Sequence, residues 1–510
     1  MMAATFRSIL QCTWLVVLLA GCAAGPVDYP RESSEAVSGT EGTLVGRIVS
    51  DWQTKNPGQS GFYPLHNGMD ALGARHDLIE HAERTIDVQY FLMKPDAAGL
   101  IFSSKLLEAA DRGVRVRFLL DDIFTSVDDK GLLLLDAHPN IEIRLFNPVA
   151  RSGFYYFNYV GDFKRANRRM HNKSFIIDNQ VGIVGGRNIA AEYFELEEHG
   201  EFIDFDMLAV GDVVPDVSVT FDRFWNHGLS VPMQAFADAK SNADLDAHRE
   251  KLIQQAEKAG DNRYADAIDS TLVQDIFGDF GILYPAIADV VTDDPDKATH
   301  KTTGEDRVLI NALTTAMEES TSEVIIITPY LIPGDGGLSF IQALRERGIR
   351  VVVFTNSLAS TNHVSVHGGY SRYRKPLLEA GVELHEARAY PLTASGKPDR
   401  NEDKLTLHTK GIIIDRRLVM VGSLNLDPRS VDINTEMGVL IDSETLGATM
   451  AETALEQLSG ISYRLSLEDG DIRWHALMDD QDIVVTSEPQ SSGWRRFKSG
   501  FSRILPESQL

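Results

Sequence analysis

The stretch RRMHNKSFIIDNQVGIVGGRN, residues 168–188, decides the fold, because residues 407–425, LHTKGIIIDRRLVMVGSLN, repeat its pattern. Both copies read H-x-K-x4-D-x6-G, with an asparagine three residues after the glycine. From His171 to His408 the distance is 237 residues, and the lysine, aspartate, glycine and asparagine keep the same offset. A fixed register over these positions indicates an internal duplication.

The repeat extends well beyond the short motif. From Ala82 the chain reads AERTIDVQYFLMKPDAAGLIFSSKLLEAADRGVRVRFLLDD, and from Met317 it reads MEESTSEVIIITPYLIPGDGGLSFIQALRERGIRVVVFTNS. Each stretch is typical of a strand, a Gly-containing loop, an amphipathic helix and a second strand. Two homologous α/β halves are therefore predicted. The predicted segments are a first half at 61–232, a helical connector at 233–300, a second half at 301–475 and a C-terminal tail at 476–510.

The N-terminal residues predict export and a lipid anchor. Residues 1–21 carry one charge, Arg7, before an apolar run that is too short for a convincing membrane span. The run ends in LAGC, which resembles the lipobox of bacterial lipoproteins, so Cys22 would carry the lipid. The alternative is an ordinary signal peptide with an incidental cysteine. With Ala23 next, the expected location is the outer membrane of a Gram-negative cell, facing the periplasm, and residues 22–60 would form a tether.

Composition limits the possible partners. The chain has 510 residues, 43% of them hydrophobic, which is enough for two or three globular domains. Its net charge of −25 opposes binding to a phosphate backbone, because such binding needs clustered lysine and arginine. We therefore expect no nucleic acid partner.

The repeated motif predicts phosphate chemistry. KSFIID and KGIIID are apolar runs that precede a polar turn and another apolar run, so each copy predicts a β-hairpin. Side chains alternate along a strand, which places each motif histidine on the same face as its lysine. The lysine can neutralise a phosphate oxygen while the histidine attacks phosphorus or moves a proton. Asp178 and Asp415 fall on the opposite face of the strand from the histidine and lysine, at the predicted turns. We interpret both as structural.

With these residues the chain resembles the phospholipase D superfamily, whose signature contains this histidine, lysine and aspartate motif. Through stretches such as DVQYFLMKPD, HGGYSRYRKPLLEAGVELHE and GSLNLDPRS it also resembles the bacterial cardiolipin synthase C group. The resemblance implies two pseudo-twofold-related α/β/α halves with mixed sheets and one shared active site. No metal or cofactor is expected, since lysine is a poor ligand and the chain lacks an H-E-x-x-H motif or a cysteine cluster.

The resemblance also assigns roles to residues. His171 would be the nucleophile and His408 the general acid. The implied half-sites are His171, Lys173 and Asn188 in the first half, and His408, Lys410 and Asn425 in the second.

A downstream carboxylate is expected to orient each imidazole within its own half. The resemblance implies Glu436 for the second half, because it follows the histidine at the customary spacing. Asp206 is its expected counterpart in the first half, with Asp204 left open because the alignment needs an insertion. The first copy also has Gly186 where the second has Ser423.

Further residues are expected to bind substrate. Residues 154–169 combine aromatic and basic side chains that either dock at a membrane interface or pair with the excess carboxylates. Residues 367–378 place side chains at helical spacing that either line the cleft or face the core. The amphipathic segment 493–510 either docks on the protein or lies in a membrane surface. The expected substrate-binding residues are Tyr90, Arg169, Tyr330, His367, Tyr370 and Arg374.

These features predict a phosphatidyltransferase that uses a phosphohistidine intermediate. Phosphatidylethanolamine and phosphatidylglycerol at a membrane surface are the expected substrates, and transfer to phosphatidylglycerol would give cardiolipin. The alternatives are a phospholipase D that transfers to water, a nuclease-like phosphodiesterase, or an inactive lipoprotein scaffold. The sequence does not identify an accessory protein.

Overall fold

The computed structural model places both motif copies in β-hairpins at corresponding positions of one mixed sheet. It describes residues 29–151, 155–196, 200–237, 245–259, 272–278, 282–393, 395–478, 481–503 and 507. The β-branched runs of both motifs fit a buried pleated surface, and their strands are buried along nearly all of their length. The predicted signal peptide and Cys22 lie outside the described residues.

The first half alternates strands and helices. Its strands are β1 Ser60–Leu65, β2 Thr85–Tyr90, β3 Arg115–Asp121, β4 Ile141–Phe146, β5 Ser174–Ile177, β6 Val181–Gly185, β7 Glu201–Ile203, β8 Asp206–Gly211 and β9 Ser230–Pro232. Its helices are α1 Leu44–Lys55, α2 Gly68–His81, α3 Ala97–Asp111, α4 Asp129–Asp136, α5 Tyr155–Gly161, α6 Phe163–Ala166 and α7 Val213–Trp225.

The second half repeats this order after two connecting helices, α8 Leu245–Ala259 and α9 Leu272–Gly278. Its strands are β10 Tyr284–Thr292, β11 Glu323–Ile327, β12 Arg350–Asn356, β13 Glu383–Ala387, β14 Leu405–Leu407, β15 Gly411–Ile414, β16 Leu418–Gly422, β17 Met437–Asp442, β18 Ser462–Glu468, β19 Asp471–Met478 and β20 Gln481–Val485. Its helices are α10 Val308–Glu318, α11 Gly334–Glu346, α12 Val364–Tyr370, α13 Arg374–Glu379, α14 Pro428–Asp432, α15 Glu444–Ile461 and α16 Gly493–Ser502.

The pairings join 18 strands into one sheet with related left and right parts. Strands β2 to β4 run parallel, as do β11 to β13, and the other neighbours are antiparallel. The halves meet where β1 pairs with β10. Across the sheet the order is β9-β4-β3-β2-β5-β6-β8-β1-β10-β17-β16-β15-β11-β12-β13-β18-β19-β20.

The contact between the halves is apolar and continuous with their cores. One cluster of buried side chains contains Val184 and Met207 from the first half together with Val421 and Met437 from the second. These residues lie on β6, β8, β16 and β17, the strands nearest the two motifs. Burial of apolar surface therefore holds the half-sites in a fixed relation.

The two motif aspartates occupy equivalent structural positions. Asp178 accepts hydrogen bonds from the backbone N–H groups of residues 83 to 85, and Asp415 accepts them from residues 321 to 323. Each aspartate also has a positive φ, 50° for Asp178 and 51° for Asp415. They bind the loop before β2 or β11, so they position a neighbouring strand and contact neither motif histidine.

The described part of the predicted tether is folded onto the first half. The Arg31 guanidinium donates to the carbonyl oxygens of Gly228, at 2.7 Å, and Ser230, at 2.9 Å. Helix α1 buries Trp52, whose ring lies so close to Gly61 that a Cβ there would approach it to 2.8 Å. The expectation of a free tether through residue 60 is therefore wrong for residues 29–60.

Two other predicted boundaries also change. The connector at 233–300 includes α8 and α9, but it also includes β10, which pairs with β17 and completes the second half of the sheet. The tail at 476–510 continues β19 and adds β20 and α16, so these parts belong to the folded body. Among the described residues, the helices are too short or too polar to cross a membrane.

Candidate active site

Each motif histidine is held by backbone contacts to the opposite half. The His171 N–H donates to the Thr435 carbonyl oxygen at 2.9 Å, and the His408 N–H donates to the Ile203 carbonyl oxygen at 2.8 Å. Strand β14 reaches the second site by parallel pairing with β7 of the first half. The two imidazoles are therefore brought together by the docking of the halves.

The carboxylates that orient the imidazoles are exchanged between the halves. His171 Nδ1 lies 2.8 Å from Glu436 Oε2, and His408 Nδ1 lies 2.6 Å from Asp204 Oδ2. The prediction that Glu436 serves the histidine of its own half is wrong. Because the carboxylates engage Nδ1, Nε2 is the ring nitrogen that each imidazole can present to a substrate. At His408, Nε2 also lies 3.2 Å from Lys410 Nζ.

Asp206, the preferred acid of the first half, has a different partner. Its Oδ2 accepts from the Arg75 guanidinium at 2.8 Å, and Arg75 also donates to the Tyr90 hydroxyl at 2.9 Å. These three side chains are buried in the first half. The prediction for Asp206 is therefore wrong, and Asp204, the alternative, occupies the position beside a motif histidine.

A glycine makes room for the shorter acid. A Cβ at residue 186 would approach Asp204 Oδ1 to 2.2 Å, which no side chain could accept without displacing the carboxylate. In the second copy the Ser423 hydroxyl instead donates to Glu436 Oε2 at 2.5 Å. The difference between Gly186 and Ser423 thus matches the difference in length between aspartate and glutamate.

The site buries two lysines with the two acids. Burial lowers the pKa of Lys173 to about 7 and that of Lys410 to about 8, and the carboxylate of Glu436 opposes both shifts. Burial raises the pKa of Glu436 to about 7. Burial opposes ionisation of Asp204, but Lys410 and His408 together hold its pKa below its usual value. Neighbouring opposite charges therefore offset part of the cost of desolvation.

The surroundings of both imidazoles favour the neutral form. Burial, followed by the charges of Lys173 and Lys410, lowers the pKa of His171 well below its ordinary value. Burial and Lys410 lower the pKa of His408 to about 3. Each lysine also lowers the pKa of the histidine in the opposite half, so the two half-sites form one electrostatic unit.

Aromatic rings that the sequence did not single out surround the imidazoles. Phe91 meets the ring of His171 edge-on, with centroids 4.7 Å apart. Phe202 stacks on His408 at 5.1 Å, and Tyr193 meets the same imidazole edge-on at 5.1 Å. These contacts fix the planes of both imidazoles and limit access of water.

The motif asparagines leave one buried polar atom each without a partner. The amide Nδ2 of Asn188 donates to the Tyr193 hydroxyl at 2.9 Å. Among the described residues, Oδ1 of Asn188 and Oδ1 of Asn425 are buried and accept no hydrogen bond. Amide oxygen and nitrogen can exchange places by rotation, so either asparagine can present a donor to a phosphate oxygen.

Comparison with known proteins identifies the family. The family model described as "Cardiolipin synthase, PLD-like domain" matches residues 76–225 and 313–458. The chain belongs to this cardiolipin synthase, phospholipase D-like family. The predicted superfamily and the predicted pair of α/β halves are confirmed.

Individual relatives extend over most of the chain. Cardiolipin synthase C of Escherichia coli (strain K12) is 37% identical over 463 residues, covering 90% of this chain and 97% of the relative. A cardiolipin synthase of Oceanobacillus iheyensis is 24% identical, covering 89% and 75%. The crystal structure of phosphatidylserine synthase from Haemophilus influenzae covers 82% of this chain and 92% of its own, with a TM-score of 0.54 and 14% identity, and supports the fold alone.

In this family member, one group of predicted substrate contacts lies away from the motif histidines. Arg374 donates to Glu386 at 2.6 Å and to Glu488, and Tyr370 donates to the same Glu386 at 2.8 Å. His367 lies between Arg374 and Ser499 of α16. The prediction that His367, Tyr370 and Arg374 line the cleft is wrong, because all three are buried beneath α16.

Arg169 and Tyr90 are also structural by their contacts. Arg169 is fully buried and donates to Asp121 Oδ1 at 3.2 Å and to the Asn147 carbonyl oxygen at 2.7 Å. The ring of Tyr90 belongs to the first-half core. Their assignment to substrate binding is therefore wrong. Tyr330 is only half-buried; its hydroxyl donates to Asn362 at 2.7 Å, and it remains the one predicted contact with partial exposure.

The aromatic and basic segment at 154–169 has mostly internal partners. Arg165 contacts Asp162 and Asn147, whereas Arg168 donates to Thr302 at 3.2 Å. Lys164 and Phe163 are exposed. Residue 154 and the side chains of 155–157 lie outside the described residues. The described contacts favour the interpretation in which these arginines pair with the protein.

The motif residues do not resemble a metal centre. Within the described residues, two groups of side chains have the spacing for a cation, one around His76 and the other around His367. Neither group includes a motif residue, and in the second the Arg374 guanidinium already contacts both carboxylates. The buried lysines in the active site supply positive charge where a metal would otherwise be needed.

We expect Gly186→Ala to lower the rate of phosphodiester turnover by roughly a hundredfold, because its Cβ displaces Asp204 from His408 and misaligns the imidazole. Ser423→Ala, the matched change in the other copy, removes one hydrogen bond to Glu436 and should cost about tenfold. Initial rates on one soluble phosphodiester would measure both, with thermal unfolding as the control for folding. A wild-type rate in Gly186→Ala would contradict the role of Asp204.

Proposed function

We propose that the protein is a phosphatidyltransferase that forms cardiolipin through a phosphohistidine intermediate. The observation that carries the proposal is the pair of buried imidazoles, each held at Nδ1 by a carboxylate from the opposite half. This arrangement gathers two imidazoles and two lysines in one buried site, which suits a phosphodiester. Two relatives named cardiolipin synthases match 90% and 89% of this chain, and their names support the same substrate class.

In the first step, Nε2 of His171 attacks the phosphorus of a donor phospholipid. The bond from phosphorus to the headgroup oxygen breaks, and that oxygen takes a proton from Nε2 of His408. The products are a phosphatidyl group on His171 and the free headgroup alcohol. Glu436 supports this step because it accepts from Nδ1 and stabilises the positive charge that develops on the ring.

Because the pKa of His408 is low, its imidazole must gain a proton when the substrate binds. Burial and Lys410 lower the pKa of this imidazole to about 3, which favours its neutral form. A bound phosphodiester brings a negative charge that pairs with the lysines and favours the imidazolium form. Asp204, ionised beside Nδ1, stabilises that form further. The general acid is therefore charged mainly when a substrate is present.

In the second step, a hydroxyl of phosphatidylglycerol replaces the departed alcohol. His408 accepts the hydroxyl proton while the oxygen attacks phosphorus, and the bond from phosphorus to His171 breaks. Cardiolipin leaves, and both imidazoles return to their starting states. Water in place of the lipid hydroxyl would give phosphatidic acid, so the outcome depends on which alcohol occupies the cleft.

We propose phosphatidylethanolamine as donor, phosphatidylglycerol as acceptor and a membrane surface as the place of reaction. Lipid hydroxyls are concentrated at such a surface. The aromatic rings of Phe91, Phe202 and Tyr193 limit access of water to the intermediate. Both features favour transfer over hydrolysis.

The roles of the two histidines can be separated with an activated leaving group. A nitrophenyl phosphodiester releases an anion that needs no proton, so His408→Ala should keep a first-turnover burst of nitrophenolate within about tenfold of wild type. On a phospholipid the same variant should lose roughly 10²–10⁴-fold. His171→Ala should be inactive on both. A burst that survives in His171→Ala and disappears in His408→Ala would exchange the two roles.

Transfer and hydrolysis differ in their lipid products. The purified full chain, mixed with vesicles of phosphatidylethanolamine and phosphatidylglycerol, should make cardiolipin and little phosphatidic acid, because a lipid hydroxyl outcompetes water in the cleft. Mass spectrometry of the extracted lipids measures both, and His171→Ala is the control. Phosphatidic acid as the main product at every acceptor density would indicate a phospholipase D. Cleavage of DNA but of neither lipid would indicate a nuclease.

We further propose that Cys22 carries a lipid and anchors the protein at the outer membrane, facing the periplasm. The LAGC sequence before residue 23 motivates this location. Cys22→Ser should lose the label from a radioactive fatty acid and appear in the soluble fraction or as an uncleaved precursor. The folded body should keep its thermal midpoint. Label that persists in Cys22→Ser would overturn the assignment.

A further inference from the structure

Helix α16 docks on the second half through only one of its faces. The Arg495 guanidinium donates to the carbonyl oxygens of Leu358, at 2.9 Å, and Thr361, at 2.6 Å. Ser499 and Ser502 are buried against α12, where a Cβ on Gly368 would approach the Ser499 carbonyl oxygen to 2.7 Å. Small residues on both helices allow this close packing, so the orientation of α16 is well determined.

The opposite face of α16 exposes three aromatic rings. The exposed fractions are 62% for Trp494, 62% for Phe497 and 63% for Phe501, and the first two rings stack with centroids 5.4 Å apart. Lys498 lies over the indole at 5.3 Å. Water is a poor environment for such a cluster, so another surface is expected to cover it.

The charge of this segment is opposite to that of the whole chain. Residues 493–510 contain four basic residues and one acidic residue, whereas the chain has a net charge of −25. Arg496, Lys498 and Arg503 are exposed. Lys498 lies beside the aromatic face, whereas Arg496 donates to the Glu488 carbonyl oxygen and Arg503 to the Ser371 hydroxyl. A helix with an exposed aromatic face, an adjacent lysine and a net positive charge fits the interface of a bilayer that contains anionic lipids. A second copy of this chain fits less well, because its α16 carries the same positive charge.

The docked face of α16 is linked to β14 by a short series of hydrogen bonds. Arg495 binds the loop that follows β12, as described above. In the same loop the Ser360 carbonyl oxygen accepts from Thr406 at 2.7 Å, and the Asn356 amide at the end of β12 donates to the Leu407 carbonyl oxygen at 2.8 Å. Leu407 directly precedes His408. Helix α16 therefore packs on the loop that also holds β14, the strand that precedes His408.

We propose that α16 inserts Trp494, Phe497 and Phe501 into the headgroup region of an anionic phospholipid bilayer. The surface orients the shared cleft toward lipids, and the proposal rests on the proposed lipid substrate. Lys498, which lies over the indole of Trp494, contacts the anionic headgroups. An N-terminal anchor would keep the protein near the membrane, whereas α16 would set its orientation.

Trp494 is a built-in reporter of this contact. Of the other tryptophans, Trp52, Trp225 and Trp474 are buried, and Trp14 lies outside the described residues. Vesicles of phosphatidylglycerol with brominated acyl chains should quench the emission of the full chain, and Trp494→Phe should remove that quenching. Lys498→Gln should weaken vesicle binding by roughly fivefold. Absence of quenching at saturating vesicles would overturn the proposal. A blue-shifted Trp494 emission without lipid that depends on protein concentration would instead identify a second copy as the occupant.

A kinetic test separates this surface from the chemistry. The triple variant Trp494→Gln, Phe497→Gln and Phe501→Gln should lose about tenfold or more in rate on vesicles and keep its rate on detergent-dispersed lipid. The control is Val219→Gln on α7, a position with an exposed fraction of 58%. An equal loss on vesicles and dispersed lipid would show that the face is structural and overturn the inference. If wild type makes no cardiolipin on either form while quenching persists, the proposed function fails and the membrane contact stands.

Discussion

The exchange of carboxylates between the halves is the constraint on which the site depends. His171 is oriented by Glu436 and His408 by Asp204, so neither half contains a complete histidine and acid pair. The apolar cluster that joins β6 and β8 to β16 and β17 must form before either imidazole is oriented. If one half folded alone, its carboxylate would lack the histidine of the other half, and its charge would be left without that partner. Assembly of the halves and assembly of the site are the same event.

Burial of the charged groups costs free energy, and it also shifts their pKa values. Desolvation lowers the pKa values of Lys173 and Lys410 to about 7 and 8 and raises that of Glu436 to about 7, so a bound ligand can readily change the charge of these groups. Desolvation also lowers the pKa values of both histidines well below their ordinary value, which favours the neutral imidazoles. A negative charge bound beside Lys173 and Lys410 would stabilise the charged lysines and favour protonation of an imidazole, so binding of an anion offsets part of the cost of burial.

Much of this architecture could be predicted from the sequence, because strand alternation and the constant offset between the motif copies are local or internal signals. The two halves and the positions of both histidine and lysine pairs followed from them. The carboxylate that contacts each histidine depends on how the two halves dock. The spacing of residues in the sequence carries no information on that docking. The one sequence signal for this exchange was the difference between Gly186 and Ser423, since only a glycine leaves room for Asp204. Helical spacing likewise placed His367 on a face but could not show that α16 covers it.

A single chain with two homologous halves can give its two half-sites different residues, which a symmetric dimer of one half could not. In a twofold homodimer both sites would carry the same acid and the same neighbours, so nucleophile and general acid would be interchangeable. Here the half-sites differ: Glu436 is backed by the Ser423 hydroxyl, whereas Asp204 lies against a glycine and shares its histidine with Lys410. In the part of the chain that the structure describes, the aromatic contacts differ too, with one ring on His171 and two on His408. Covalent linkage allows these differences to be encoded, and they give each imidazole its own electrostatic environment for a separate step of the transfer.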